Sequence, residues 1–148
     1  MRILAIALLV LVMRAPAAAS EEQAVVTTVQ RLFDAMEARD PTAASAVLLS
    51  KGGYFFVREK GGEVSVGGVS YGEFAARLGK DKEPIREVMR DPKVLLHGRV
   101  ATLWTPYEFH RGGKLSHCGV DSFHLLKTAD GWKIAGFVYT VEPCDPRR

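Results

Sequence analysis

The last third of the chain, residues 100–142, constrains the fold most, because three strand-like runs there are separated by two short turn signals. Runs rich in β-branched and aromatic residues predict β-strands. The pairs Gly112-Gly113 and Asp130-Gly131 suit the positive backbone angles of tight hairpin turns. The sequence therefore predicts an antiparallel meander of three strands, in which alternation assigns each side chain to one of two faces.

The first hairpin turn sets the register of this meander. A two-residue turn at Gly112-Gly113 pairs Glu108 with His117 and Trp104 with Asp121. One face then carries polar groups above an apolar floor: Thr102, Trp104, Glu108, His110, His117, Asp121, Phe123, Leu125, Trp132, Ile134 and Val138. The opposite face carries Leu103, Tyr107, Phe109, Cys118, Val120, His124, Phe137 and Tyr139. A slip of one residue at either turn would exchange these sets.

A concave apolar face with a few convergent polar groups is typical of a small-molecule site. We expect Trp104, Glu108, His117 and Asp121 to line a cavity closed by the first helix, with Tyr54 or Phe56 at its wall and Phe123 in its floor. The ligand-binding candidates are therefore Trp104, Glu108, Phe123 and Tyr54.

The chemistry of this cluster depends on how far burial shifts its pKa values. Desolvation moves the pKa of Asp121 or His117 toward neutrality, where either is a candidate catalytic acid or base. Glu108 would orient the ring of His117. The alternatives are a structural hydrogen-bonded cluster and a solvated sheet edge. No compact metal-binding spacing is present, so we expect neither a metal site nor another cofactor.

The N-terminus reads as an export signal. Arg2 precedes an apolar run over residues 3–13, and small residues at 17–19 suit cleavage. The run is too short for a membrane-spanning helix. We therefore expect residues 1–19 to be a signal peptide and residues 20–148 to form one domain, exported to the periplasm or the extracellular medium.

Charge excludes nucleic acid as an expected partner. Arg2 and Arg14 leave with the signal, so 18 basic residues remain against 17 acidic ones, a net charge of +1. No basic block is present. Export also permits a disulfide, and a turn at Pro143 would bring Cys144 back to Cys118.

Helices precede most of the strands. Apolar residues recur at helical spacing over residues 21–38, and Asp40-Pro41 begins a second short helix. A capping pattern at Ser70 and Glu73 begins a third helix within the strand series. This order predicts an α+β fold with three helices packed on a curved antiparallel sheet.

This order, together with the motifs W-x-P-Y-x-F, H-C-G-x-D-x-F and G-W-K-I, resembles the nuclear transport factor 2-like (NTF2-like) superfamily. The likeness is greatest to exported SnoaL-like or lumazine-binding-like members. The resemblance implies a cone-shaped half-barrel whose concave face forms a pocket. The superfamily includes ketosteroid isomerase, scytalone dehydratase and polyketide cyclases, but the isomerase's tyrosine and paired acids have no counterpart in the linear pattern.

Two functions follow as expectations from this resemblance. The first is an exported domain that binds a small, largely apolar molecule. The second is a cofactor-independent isomerase, dehydratase or cyclase that uses Asp121 and His117. We also expect a homodimer through the outer sheet face, as in many members, with an apolar interface formed by Leu103, Tyr107, Phe109, Val120, Phe137 and Tyr139.

Overall fold

Three capped helices form one layer of the molecule. The computed structural model describes residues 20–145, so the expected signal peptide lies outside the described residues. The helices are α1 (Glu21–Glu37), α2 (Pro41–Val47) and α3 (Tyr71–Leu78). Each begins where a side chain accepts a hydrogen bond from an otherwise unpaired backbone amide, at Ser20, Asp40 and Ser70.

Seven strands form one curved sheet. They are β1 (Leu48–Lys60), β2 (Glu63–Ser70), β3 (Ile85–Met89), β4 (Lys93–His97), β5 (Val100–Arg111), β6 (Lys114–Thr128) and β7 (Gly131–Val141). Their order is β2-β1-β7-β6-β5-β3, and β4 also pairs with β5. The α+β half-barrel is thus confirmed, but the sheet is mixed, because β1 runs parallel to β7.

Strand β1 begins earlier than the pattern predicts. The aromatic-rich run Tyr54 to Glu59 predicts the strand and Lys51-Gly52-Gly53 a break before it, yet the strand begins at Leu48 and runs through these glycines. A Cβ atom at Gly52 would lie 2.4 Å from the carbonyl oxygen of Ala135, so the glycine permits close approach to β7. Here glycine marks a backbone contact and not a turn.

The core lies between the helices and the concave face of the sheet. The apolar stripe of α1, including Val25, Val29 and Leu32, is at most 1% exposed. Phe33 on α1 meets Phe123 on β6 edge-to-face, with ring centroids 6.0 Å apart. Burial of this stripe anchors α1 across the sheet, and fully burying each such side chain contributes about 1.5–3 kcal/mol.

The two cysteines are joined at the end of the sheet. Cys118 and Cys144 form a disulfide with Cα atoms 5.0 Å apart. Beside it, Cys118 and Glu142 exchange two backbone hydrogen bonds, of 3.0 and 2.8 Å. The C-terminal segment is therefore fastened to the outer face of β6, just beyond the last residue of β7.

Candidate functional site

Two β-bulges decide which side chains of the meander face the helices. The first lies in β6, where pairing is His110 with Leu115 but Phe109 with His117. Ser116 is the extra residue. Beyond it Asp121 lies opposite Thr105, and Trp104 lies opposite Ser122. The predicted pairs of the first hairpin are therefore wrong by one residue beyond this bulge, which exchanges the faces of β5.

The second bulge lies between β6 and β7. Leu125 pairs with Ile134 as expected, whereas Phe123 pairs with Phe137 and Asp121 with Tyr139. Ala135 is the extra residue. The side chain of Tyr139 therefore lies on the concave face, and Val138, expected there, is 48% exposed on the outer face.

The bulges divide the predicted site residues between the two faces. Asp121, His117 and Tyr54 line a cavity between the helices and the sheet. Phe123 lies behind its wall in the core and is 1% exposed. Trp104 is 45% exposed on the outer face, so its predicted place in the cavity is wrong.

Glu108 also lies outside the cavity. Its carboxylate accepts a hydrogen bond from Arg90 at 2.7 Å, and it lies 3.6 Å from His110. It does not contact the ring of His117 as predicted, since residue 117 pairs with Phe109. The physical reason is again Ser116, which moves β5 by one position relative to β6 and turns Glu108 outward.

The cavity has a volume of about 280 Å³ and is bounded by α1, α3 and the concave face of the sheet. Its apolar walls are Leu32, Phe33, Met36, Phe74, Ile85, Phe109, Phe137 and Val141. Its polar lining is Tyr54, Arg58, Glu87, Tyr107, Arg111, His117, Asp121 and Tyr139. This volume is near the lower end of small-molecule pockets, and mostly aromatic walls suit a flat apolar ligand.

Two carboxyl groups meet in this cavity. Asp121 is 1% exposed, and its Oδ2 atom has no hydrogen-bond donor among residues 20–145. Burial raises its pKa well above the usual range, and the nearby charge of Glu87 raises it further. Burial also raises the pKa of Glu87 to about 7, opposed by a hydrogen bond from Asp121. The two groups therefore titrate as a coupled pair, in which the interactions with Glu87 favour the protonated form of Asp121.

Three tyrosines surround the carboxyl pair. The hydroxyl of Tyr107 donates a hydrogen bond to the carbonyl of Thr140 at 2.7 Å, so this proton is not available to a ligand. The rings of Tyr54 and Tyr139 line the cavity with centroids 5.9 Å apart. Burial raises the pKa of both phenols, which keeps them neutral hydrogen-bond donors at pH 7.

Basic side chains line the same cavity. The ring of His117 stacks on Phe109 at 4.9 Å, and burial lowers its pKa, with Arg58 and Arg111 adding to the shift. It is therefore neutral at pH 7. Arg111 pairs with Glu83 at 2.7 Å. The pKa of His117 is thus shifted by the two arginines, whereas the pKa of Asp121 is shifted by Glu87.

Glu87 is the site residue that the sequence reasoning missed. It lies on β3 between Ile85 and Met89, and alternation places all three on one face. Ile85 is buried and Met89 packs on the core, so a glutamate between them must face inward. This alternation is present in the sequence, but the strand has only five residues and its partner strand could not be identified from spacing alone.

Two kinds of feature are absent from the described part of the chain. Over residues 20–145, no group of three His, Cys, Asp or Glu side chains could hold a metal ion. No helix within the same residues is long and apolar enough to cross a membrane.

Comparison with solved structures identifies the fold of this chain. No family model and no curated protein matches the sequence. An NTF2-like superfamily protein from Salmonella enterica serovar Typhimurium is 16% identical with a TM-score of 0.65, covering 85% of this chain and 93% of that one. The chain has an NTF2-like fold.

Two other NTF2-like structures extend this likeness. A protein from Cytophaga hutchinsonii is 13% identical with a TM-score of 0.69, covering 83% of this chain and 99% of its own. A protein from Streptomyces avermitilis, named a candidate dehydratase of the NTF2-like family, is 21% identical with a TM-score of 0.64, covering 84% and 97%. At these identities the likeness establishes the NTF2-like fold and leaves function to the site.

Proposed function

We propose that this NTF2-like protein binds a small, largely apolar molecule that carries a hydroxyl or carbonyl oxygen. The observation that carries the proposal is the carboxyl pair of Glu87 and Asp121 inside an aromatic cavity. A buried polar atom without a hydrogen-bond partner costs free energy. The unpaired acceptor oxygen Oδ2 of Asp121 therefore favours a ligand that supplies a hydrogen-bond donor. The phenols of Tyr54 and Tyr139 would bind its remaining lone pairs.

A matched pair of probes tests this proposal. 4-Ethylphenol and ethylbenzene share one apolar body, but only the phenol can donate to a carboxylate. Because Glu87 is partly ionised at pH 7, a hydrogen bond to the carboxyl pair should make the phenol bind several-fold more tightly than ethylbenzene, roughly threefold to tenfold by calorimetry. The preference should shrink in the double variant Glu87→Gln, Asp121→Asn, because an amide oxygen accepts only a neutral, weaker hydrogen bond. Glu108→Gln, on the outer face, is the control that should keep it.

Equal affinity of the two probes for the unmodified protein would contradict the proposal. So would a phenol preference of undiminished size in the double variant, because the phenol would then bind away from the carboxyl pair.

A second candidate function, proton transfer, rests on the raised pKa of Glu87. A carboxyl with a pKa of about 7 is matched to abstracting a proton at neutral pH. Glu87 would remove a proton next to a carbonyl while the neutral phenols of Tyr54 and Tyr139 donate hydrogen bonds to the oxygen. The pairing differs from the expected Asp121 and His117, since His117 is electrostatically coupled to the arginines. Such chemistry includes isomerisation and dehydration, and the Streptomyces structure is named for the latter.

Exchange of carbon-bound hydrogen tests proton transfer directly. In D₂O, we expect the protein to accelerate deuterium incorporation beside the carbonyl of 2-indanone, followed by NMR. Glu87→Gln should abolish the acceleration and Glu108→Gln should retain it. If the unmodified protein leaves the exchange rate at the value measured in buffer alone, proton transfer is excluded as a function and ligand binding remains.

The outer face supports a proposed homodimer, through residues other than those expected. Leu103 and Tyr107 are at most 2% exposed, and Phe109, Phe137 and Tyr139 line the cavity. Of the predicted interface residues, Val120 and Tyr139 border the groove on the outer face. We propose an outer patch formed instead by Phe55, Val66, Trp104, Val120 and Val138, which surround a shallow apolar groove. Exposed apolar patches of this kind mark interfaces.

Export remains a proposal, supported by the N-terminal pattern and by the paired cysteines. The mature protein should begin within a few residues of Ser20. Intact-mass measurement of the exported protein decides this, and a mass corresponding to all 148 residues would contradict it.

A further inference from the structure

The cavity has two electrically different regions. One region contains the two acidic side chains, Glu87 and Asp121. Arg58, Arg111 and His117 line the same cavity. Both arginines act on His117, whereas neither contributes to the pKa shift of Asp121 or Glu87. The strand register separates Arg58 from Asp121, because Asp121 pairs with Tyr139 on β7 whereas Arg58 pairs with Val141, two residues further along that strand.

The two arginines differ in whether their charge is already matched. Arg111 lies 2.7 Å from Glu83 and 3.7 Å from Asp81, so acids neutralise it. Arg58 forms no ion pair with any carboxylate of residues 20–145. The contact shown for its guanidinium is the face of Phe56, at 5.9 Å from the ring centroid. Arg58 is exposed, yet it lines the cavity, so its donors can reach a ligand that extends to the opening.

We infer that the ligand is a carboxylate with an apolar body, whose acid group pairs with Arg58 while its oxygen-bearing far end contacts Glu87 and Asp121. The inference rests on the proposed binding function and adds the ligand's chemical class and orientation. The carboxyl pair, which is partly ionised at pH 7, would repel an anion placed beside it, so charge complementarity directs the carboxylate outward. A guanidinium presents a planar fork of donors that matches a carboxylate.

Two probes that differ only in charge test this inference. They are 3-(4-hydroxyphenyl)propanoate and its methyl ester, which share the phenol end and the apolar body. Because Arg58 is partly solvated, we expect the acid to bind roughly three- to tenfold more tightly than the ester at low salt. That ratio should fall toward one as salt is raised, since salt screens exposed charges.

Arg58→Gln should reduce the acid-to-ester ratio to about one and leave ester affinity unchanged. The matched control is Arg86→Gln, which removes the same charge from an exposed position on β3, on the opposite face from Glu87. Arg86→Gln should keep the ratio of the unmodified protein. Because both arginines are exposed, both variants should fold, which circular dichroism checks.

Three outcomes would overturn the inference. The acid and ester could bind equally, Arg86→Gln could lower the ratio as much as Arg58→Gln, or the ester could bind more tightly than the acid. Each leaves the proposed binding of a neutral apolar molecule standing. If neither probe binds, the proposed function fails together with the inference.

Discussion

Replacing both carboxyls of the cavity by amides should flatten the dependence of stability on pH. The variant Glu87→Gln, Asp121→Asn keeps the shapes of both side chains and removes both titrating groups. A carboxyl whose folded-state pKa lies above its unfolded value binds its proton more tightly in the folded protein. Its stabilising proton is fully bound below the unfolded pKa, and stability falls as pH rises through the folded pKa.

The structure gives the size and the window of this loss. The pKa of Glu87 rises from 4.5 to about 7. Each unit corresponds to about 1.4 kcal/mol, so ionisation of the pair should cost roughly 3 kcal/mol between about pH 4.5 and pH 7 or above. For a domain of this size, that loss lowers Tm by roughly 10 °C.

Thermal unfolding followed by circular dichroism from pH 5 to pH 8 measures the effect. The double variant should show little of the decline, and it should be more stable than the unmodified protein at pH 8. Subtracting the stability of one protein from that of the other cancels the contributions of all other titrating groups. These include His117, whose lowered pKa makes stability rise with pH.

Glu108→Gln is the control for this experiment. Arg90 lowers the pKa of Glu108, so its contribution is present above pH 4.5 and is lost as pH falls. Its removal should therefore leave the slope from pH 5 to pH 8 unchanged. Parallel curves for the double variant and the unmodified protein would refute the coupled-pair interpretation, because two solvated carboxylates do not titrate in this range.

Three other predictions concern packing, the disulfide and association. A Cβ atom at Gly119 would lie 2.1 Å from the carbonyl oxygen of Thr140, so Gly119→Ala should lower unfolding free energy by about 2 kcal/mol or more; Gly72→Ala, with nothing within 4 Å, should not destabilise, and denaturant titration compares them. Reduction of the disulfide, which spans 26 residues, should cost about 3 kcal/mol, and an unchanged Tm in reductant would contradict this. Trp104→Asp should convert the proposed dimer to monomer in light scattering at micromolar concentration, and a monomeric mass for the unmodified protein would remove the proposal.

The fold was predictable because several local signals agree. Capping side chains at Asp40 and Ser70 begin the second and third helices, and both are used as the pattern predicts. The glycines of the hairpin at residues 112–113 adopt positive φ, with values of 57° and 76°. Helix caps and hairpin turns depend on residues that are close together in the sequence, which is why the sequence predicts them.

The site was only partly predictable because one extra residue changes a strand's face. The turn before β6 was placed correctly, with Arg111 opposite Lys114. The bulge at Ser116 then moved Trp104 and Glu108 outward, and nothing in their own pattern indicates it. Bulges are set by how two strands fit together in three dimensions.

Glu87 was missed for a related reason. Its strand joins the sheet through β5, where it pairs with Phe109, a contact between distant parts of the sequence. The residue became a site candidate only once its carboxyl was seen beside Asp121.

The most direct test of the central claim is to locate a bound ligand by NMR. Titration of labelled protein with 4-ethylphenol should shift side-chain signals of Tyr54, Tyr139 and Asp121, which line the cavity. Signals of Phe55 and Trp104, on the outer face, should remain in place apart from small effects of association. Shifts confined to the outer face, or no shifts at saturating phenol, would contradict the account that this cavity is the functional site.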